Sequence, residues 1–470
     1  MQKNARRTLS ALILAGFAVA ALIAPLSAYA GEEVPPVQPV PAVPAPPEEA
    51  VRVGIGRALV AAEVSAPQGL YVIADGAIQL EVPGGQSVRL TLAQGQIEVA
   101  GLPGRFPGPV RLVPLAPGAP ENPITYQGKR YRGEIEVLVR PKDGKLSVVN
   151  VVNVEDYLLG VVPLEMYPSW PEEALKAQAV AARTYVLASL GQFADEGFDV
   201  VDTAQSQVYG GIDAETDRTT RAVLATRGEV VVYGDELATT MFHASSGGHT
   251  ENNEVIFSGR PVPYLRGVPD YDNLPGNERY SWTYRFSAEE FARKLSEANF
   301  AVGTVEAVAP AGVIGSSGRP SQWVVEGSDG QRTLSALQFR SALGLPSAPR
   351  SVRVEAGGIG RITRTYRQSD PLYVLGAGGV RQTIRLNEAF VLGAGGRPAE
   401  PAGEVTVIGP MGPRPGTVVV EGGGYGHAVG LSQWGANGLA QQGKTYREIL
   451  AYYYQGTTVA TRTVKTAKNR

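Results

Sequence analysis

A β-rich α+β fold, with short-stranded sheets around one long alanine-rich helix, is predicted by three observations. Short runs rich in Val, Ile, Leu and Tyr recur from Val51 to Val152, with turn residues between them. The 470-residue chain carries 57 Gly and 35 Pro, which suits many short connections. One stretch, Glu172 to Tyr185, instead has the alanine content of a helix whose neighbours can approach closely.

The elements follow in order. Lys3, Arg6 and Arg7 precede the apolar run Ala11 to Ala24, which ends at Pro25 before Ala28-Tyr29-Ala30. Together they predict a secretory signal peptide over residues 1–30. The run is shorter than the ~20 residues a spanning helix needs, so no stable membrane span is expected after cleavage. Residues 31–50 are proline-rich and predict a semi-rigid, extended linker. Val51 to Ile55, Gly69 to Ile73, Ser87 to Leu92, Tyr131 to Val139 and Leu146 to Val152 read as strands. Ser169-x-x-Glu172 reads as a capping box for the alanine-rich helix, with Pro171 in its first turn and Gly191 near its C-cap. Further helices are expected from Ala288 to Ala298 and from Thr445 to Tyr454, the latter capped by Thr445. Strands return from Val302 to Val325 and from Val352 to Val420.

Composition excludes several functions. With 43 basic and 45 acidic side chains the formal charge is −2, so the electrostatic footprint of a nucleic-acid binder is missing. The absence of Cys removes disulfides, thiolate metal sites and cysteine nucleophiles. Gly422 to Gly426 is off register for a dinucleotide loop, and neither a Walker loop nor a G-x-S-x-G elbow occurs.

What remains is a lone acid and two histidine-bearing motifs. Glu165 stands between Val161-Val162-Pro163-Leu164 and Met166-Tyr167, a setting that favours a raised pKa and proton donation near neutral pH. Gln178, Ala181, Ala182 and Tyr185 share a helix face, where a site could orient sugar hydroxyls. Arg183 must find a partner if that helix is buried. His243 and His249, with Glu251 or Glu254 nearby, offer a His/carboxylate set for Zn²⁺, while a satisfied structural role is the better reading of each histidine alone. His427 lies in Gly426-His427-Ala428-Val429-Gly430-Leu431-Ser432-Gln433-Trp434-Gly435-Ala436.

Six segments in order, Asn150 to Met166, Lys176 to Tyr185, Thr203 to Tyr209, Phe242 to Glu251, Tyr264 to Asp270 and Gly426 to Ala436, resemble the stage II sporulation protein D (SpoIID) family. The family includes peptidoglycan lytic transglycosylases and proteins described as amidase enhancers. The resemblance implies a secreted protein of the cell wall or periplasm with a glycan-binding groove, acting on peptidoglycan glycan strands. Its core would span 126–350, after an N-terminal β-rich region over 51–125. A C-terminal β region over 351–470 would complete that core with the glycine-rich segment. Glu165 matches the family's catalytic glutamate. Arg183, Tyr185, Gln207, Tyr209, Ser245, Ser246 and His427 fall where substrate contacts are expected. A cell-wall amidase is the partner implied by the enhancer branch. No cofactor is required by this chemistry. Some members bind zinc near the stretch holding His243 and His249, with Cys among the ligands, and this chain has none. A smaller departure is Ala428, where the family usually has Gly.

Overall fold

The computed structural model describes residues 43–47, 49–116, 122–355 and 416–462 with their side chains, and between 356 and 415 the strands alone. The expected signal peptide and most of the linker lie outside the described residues. Among the described residues no helix is long and apolar enough to cross a membrane.

The fold is α+β and strand-rich. Its largest sheet orders seven strands as Val200–Val201, Ala50–Leu59, Leu146–Asn153, Glu134–Val139, Val110–Pro114, Gly69–Ala74 and Ala77–Pro83. Val51 pairs with Val152 and Val53 with Asn150, antiparallel, so strands on both sides of residue 125 share one sheet. A five-stranded sheet built on Ala61–Ser65 and Ser87–Ala93 packs with it around Leu70, Leu90, Ile97 and Ile135.

Where one long helix and two shorter ones are expected, eight α-helices occur among the described residues. They are α1 (Val154–Glu165), α2 (Glu172–Ala188), α3 (Asp217–Ala225), α4 (Asn253–Phe257), α5 (Ala288–Glu297), α6 (Ala336–Leu343), α7 (Gln433–Gln441) and α8 (Tyr446–Tyr453). The alanine-rich α2 is the longest and packs against α1, α3, α7 and α8, its small side chains permitting the crowding. α5 and α8 fall where their caps place them, with Ser287 accepting from the Glu290 N–H and Thr445 forming a full capping box with Glu448.

The Ser169–Glu172 capping box does not form. Pro171 is itself the N-cap of α2, extended at φ −54° and ψ 143°, and contributes no side-chain cap. Its ring fixes φ and starts the helix, while Ser169 stays exposed. α1 replaces what reads as continuing strand and loop. The strand Leu146–Asn153 runs directly into it, and the Asn153 side chain accepts from the Glu155 N–H at 2.8 Å.

Candidate active site

Glu165 is the last residue of α1, not a loop residue before a helix. Pro163 stands in the final turn, and Met166 turns the chain to extended backbone with its own side chain buried. Gly160 lets α1 lie against the 205–211 loop. A Cβ there would sit 2.7 Å from the Tyr209 ring and 2.8 Å from the Gly211 carbonyl. That close approach brings the Val208 N–H to within 3.1 Å of Glu165 Oε1. Oε2 accepts from Gln433 Nε2 at 2.9 Å, a residue of the first turn of α7. α7 is fixed there by Ser432, whose hydroxyl accepts from the Gly435 N–H, and by Gly435 itself. A Cβ on Gly435 would collide with the Asp270 carboxylate and the Tyr453 hydroxyl. Burial pushes the Glu165 carboxyl up, and the Val208 and Gln433 bonds pull it partly back by favouring the ionised form.

The carboxylate opens into a groove of about 950 Å³. Tyr167, Trp170 and Trp434 form an aromatic cluster along it, with ring centroids 5.3 Å apart for Tyr167–Trp170 and 4.9 Å apart for Trp170–Trp434. Gln192, Gln205 and Ser206 add amide and hydroxyl groups. Flat rings beside hydrogen-bonding groups and one desolvated acid are groups able to meet a polyhydroxylated ring.

The expected site residues divide. Tyr185 lines the groove, its ring 6.1 Å from Phe242. His427 lines it as well, but both ring nitrogens are engaged. Nδ1 accepts from the Val429 N–H at 3.1 Å, and the ring also bonds the Phe242 backbone. Burial and the nearby Arg340 hold it neutral, at about 4. The other expected contacts are not at the groove surface. Arg183 is 1% exposed and grips Glu155 bidentately at 2.8 and 2.7 Å while donating to the Glu229 and Val223 carbonyls. Gln207 bonds the Tyr157 hydroxyl and the Ala182 carbonyl, and Tyr209 bonds Asn150, all buried. Ser245 and Ser246 donate to Asp272 and Asp270. The polar groups of these side chains are engaged within the protein.

The residues present do not fit a zinc site. His243 lines the groove with Nδ1 on the Val429 carbonyl, whereas His249 bonds the Thr250 carbonyl. Glu251 is occupied by Ser316 and Ser317, and Glu254 by Arg266. Among the described residues no three His, Asp or Glu side chains converge as metal ligands. Ala428 lies at φ 66°, the left-handed region that favours glycine, and its carbonyl accepts from the Glu251 N–H. The residue usual in the family is thus the one the backbone prefers.

Sequence reasoning missed Gln433, Trp170, Trp434 and Arg340. Gln433 and Trp434 stand in a motif whose composition singled out only its histidine.

The stage II sporulation protein family model, SpoIID, matches residues 142–233. An uncharacterized protein of Brachyspira hyodysenteriae is 32% identical over 342 residues, covering 72% of this chain and 74% of that protein. Stage II sporulation protein D of Bacillus subtilis is 29% identical, covering 67% of this chain and 76% of its own length. The Bacillus subtilis amidase enhancer is 28% identical over 72% of this chain, which spans only 45% of that relative. With the acid, its α1 setting and the α7 motif in place, the chain belongs to the stage II sporulation protein D and amidase-enhancer family.

Proposed function

We propose that the chain is a secreted lytic transglycosylase of peptidoglycan glycan strands. It would break the β-1,4 bond between N-acetylmuramic acid and N-acetylglucosamine and leave a 1,6-anhydro-muramyl end. The observation that carries this reading is that Glu165 is the only carboxylate among the described residues lining the groove. Hydrolytic glycosidases generally use two carboxyl groups, one to protonate the leaving oxygen and one to activate water or attack carbon. A substrate that supplies its own nucleophile needs one. Protonated Glu165 gives its proton to the glycosidic oxygen as the C1–O bond breaks. The resulting carboxylate then takes the proton of the muramyl 6-hydroxyl as that oxygen bonds C1. The raised pKa serves the first step, and the Val208 and Gln433 donors stabilise the anion needed for the second. Tyr167, Trp170 and Trp434 offer ring faces to the sugars.

Purified glycan strands digested with wild type and with Glu165→Gln, analysed by mass spectrometry, test this. Wild type should yield anhydro-muramyl ends and the variant none; equal yields would sink the assignment.

A second reading rests on the amidase-enhancer relative. In it the groove holds glycan without cleaving it and presents the strand to a cell-wall amidase. Wild-type protein that forms no anhydro ends alone, yet accelerates such an amidase, would favour it.

A further inference from the structure

The groove contains a second charged group that the proposed chemistry leaves unused. Arg340, in the last turn of α6, lines it together with Tyr425 and the two histidines. Its Nε–H donates to the Leu345 carbonyl at 3.2 Å. Among the described residues its guanidinium has no other hydrogen-bond partner and no carboxylate partner. Burial pushes it below its ordinary range, and Glu165 is not among the groups that offset this. A second guanidinium, Arg279, lies 5.7 Å from the centre of the half-exposed Tyr425 ring and is likewise without an ion pair among the described residues.

Many other guanidiniums are ion-paired, whereas the buried Arg319 and the half-buried Arg350 are held by backbone carbonyls. Arg52, Arg57, Arg111, Arg132, Arg183 and Arg266 each meet a carboxylate at 2.6–2.7 Å. Arg340 in the groove, and Arg279 over the ring of Tyr425, which also lines it, add positive charge at a cavity whose one carboxylate among the described residues is Glu165. A guanidinium presents a planar fork of donors that matches a carboxylate.

We infer that Arg340, assisted by Arg279 across Tyr425, forms a subsite for a carboxylate carried by the bound glycan. The inference rests on the glycan-groove reading above. It adds that the groove discriminates acidic glycan from neutral β-1,4-linked amino sugar. On a peptidoglycan strand the carboxylate has two sources: the lactyl group of muramic acid, free where the stem peptide is gone, and the acidic residues of the stem peptide itself.

The test uses the full chain carrying Glu165→Gln, so that binding is read without cleavage. Dissociation constants are measured for peptide-free glycan, the same glycan with its carboxyls reduced to alcohols, and peptide-bearing strands. A charge-assisted contact predicts binding to peptide-free or peptide-bearing glycan about tenfold or more tighter than to reduced glycan. Adding Arg340→Gln should erase that difference while leaving the reduced polymer's affinity unchanged. Arg279→Gln, on an exposed side chain, should narrow it by a smaller factor and serves if Arg340→Gln folds poorly. Tighter binding of peptide-free strands assigns the carboxylate to the lactyl group, and of peptide-bearing strands to the stem peptide. Parent protein that binds acidic and reduced glycan equally, or Arg340→Gln losses that are equal on both, overturns the subsite. Failure to bind all three polymers overturns it together with the glycan reading. Failure of the cleavage reading alone shows separately, as wild type that binds but leaves no anhydro ends.

Discussion

Replacing Gln433 by Leu isolates the electrostatics of Glu165. The substitution removes the Nε2–H that donates to Oε2 at 2.9 Å and keeps a side chain of similar bulk at the start of α7. A hydrogen bond to a charged group contributes about 1.5–3 kcal/mol. Losing it therefore favours the protonated carboxyl and raises its pKa further. Glu165 is half-buried, and water reaching the vacated oxygen recovers part of that, leaving on the order of 1 kcal/mol. The sign is fixed, because the bond favours the ionised form and its loss favours the proton. In the proposed cleavage Glu165 starts protonated, so the alkaline limb of kcat/KM should move to higher pH. The assay is release of anhydro-muramyl ends across pH. A limb that stays in place or moves to lower pH, with activity still measurable, would show that Glu165 is not the ionisation limiting the reaction.

Three other outcomes are expected. Arg183→Met strands the buried Glu155 and should cost about 3–5 kcal/mol of stability, read as a fall in Tm, while activity per folded molecule changes little. Trp434→Ala removes the ring packed 4.9 Å from Trp170 and should raise KM roughly fivefold, about 1 kcal/mol, with kcat much less affected. Asp270 is pushed up to about 6 by burial and by Asp272, against an unfolded value of ~3.9. A raised acid contributes stability that is complete below ~3.9 and is lost as pH rises through about 6. Thermal melts from pH 4 to 7 should show that loss in wild type and a flatter profile in Asp270→Asn.

The sequence made some of this legible through local rules. Thr445 and Ser287 announced their helices because a cap is a contact within one turn. α1 was hidden by its β-branched Val run and by Pro163, although Asn153 followed by Glu155 and Asp156 is a usable start signal. Glu165 stood out by its apolar neighbours, but its environment depends on Val208 and Gln433, which no local rule connects to it. Motif matching likewise could not separate hydroxyls facing a ligand from hydroxyls facing the protein. Ser245 and Ser246 are consumed by Asp272 and Asp270, acids that lie more than twenty positions downstream. Burial of the helix requires a partner for Arg183, and Glu155, 28 positions earlier, is one that no local rule names.

Gln433 reaches Glu165 across 268 positions of chain, and the Tyr446 N–H reaches Glu173 across 273. Contacts that distant carry a larger loop-closure cost than local ones. A chain synthesised as far as α6 already contains its acid but not the donor that stabilises the anion or the Trp434 wall beside it. A nascent or C-terminally clipped molecule would carry the acid without the Gln433 donor and the Trp434 ring that complete its surroundings.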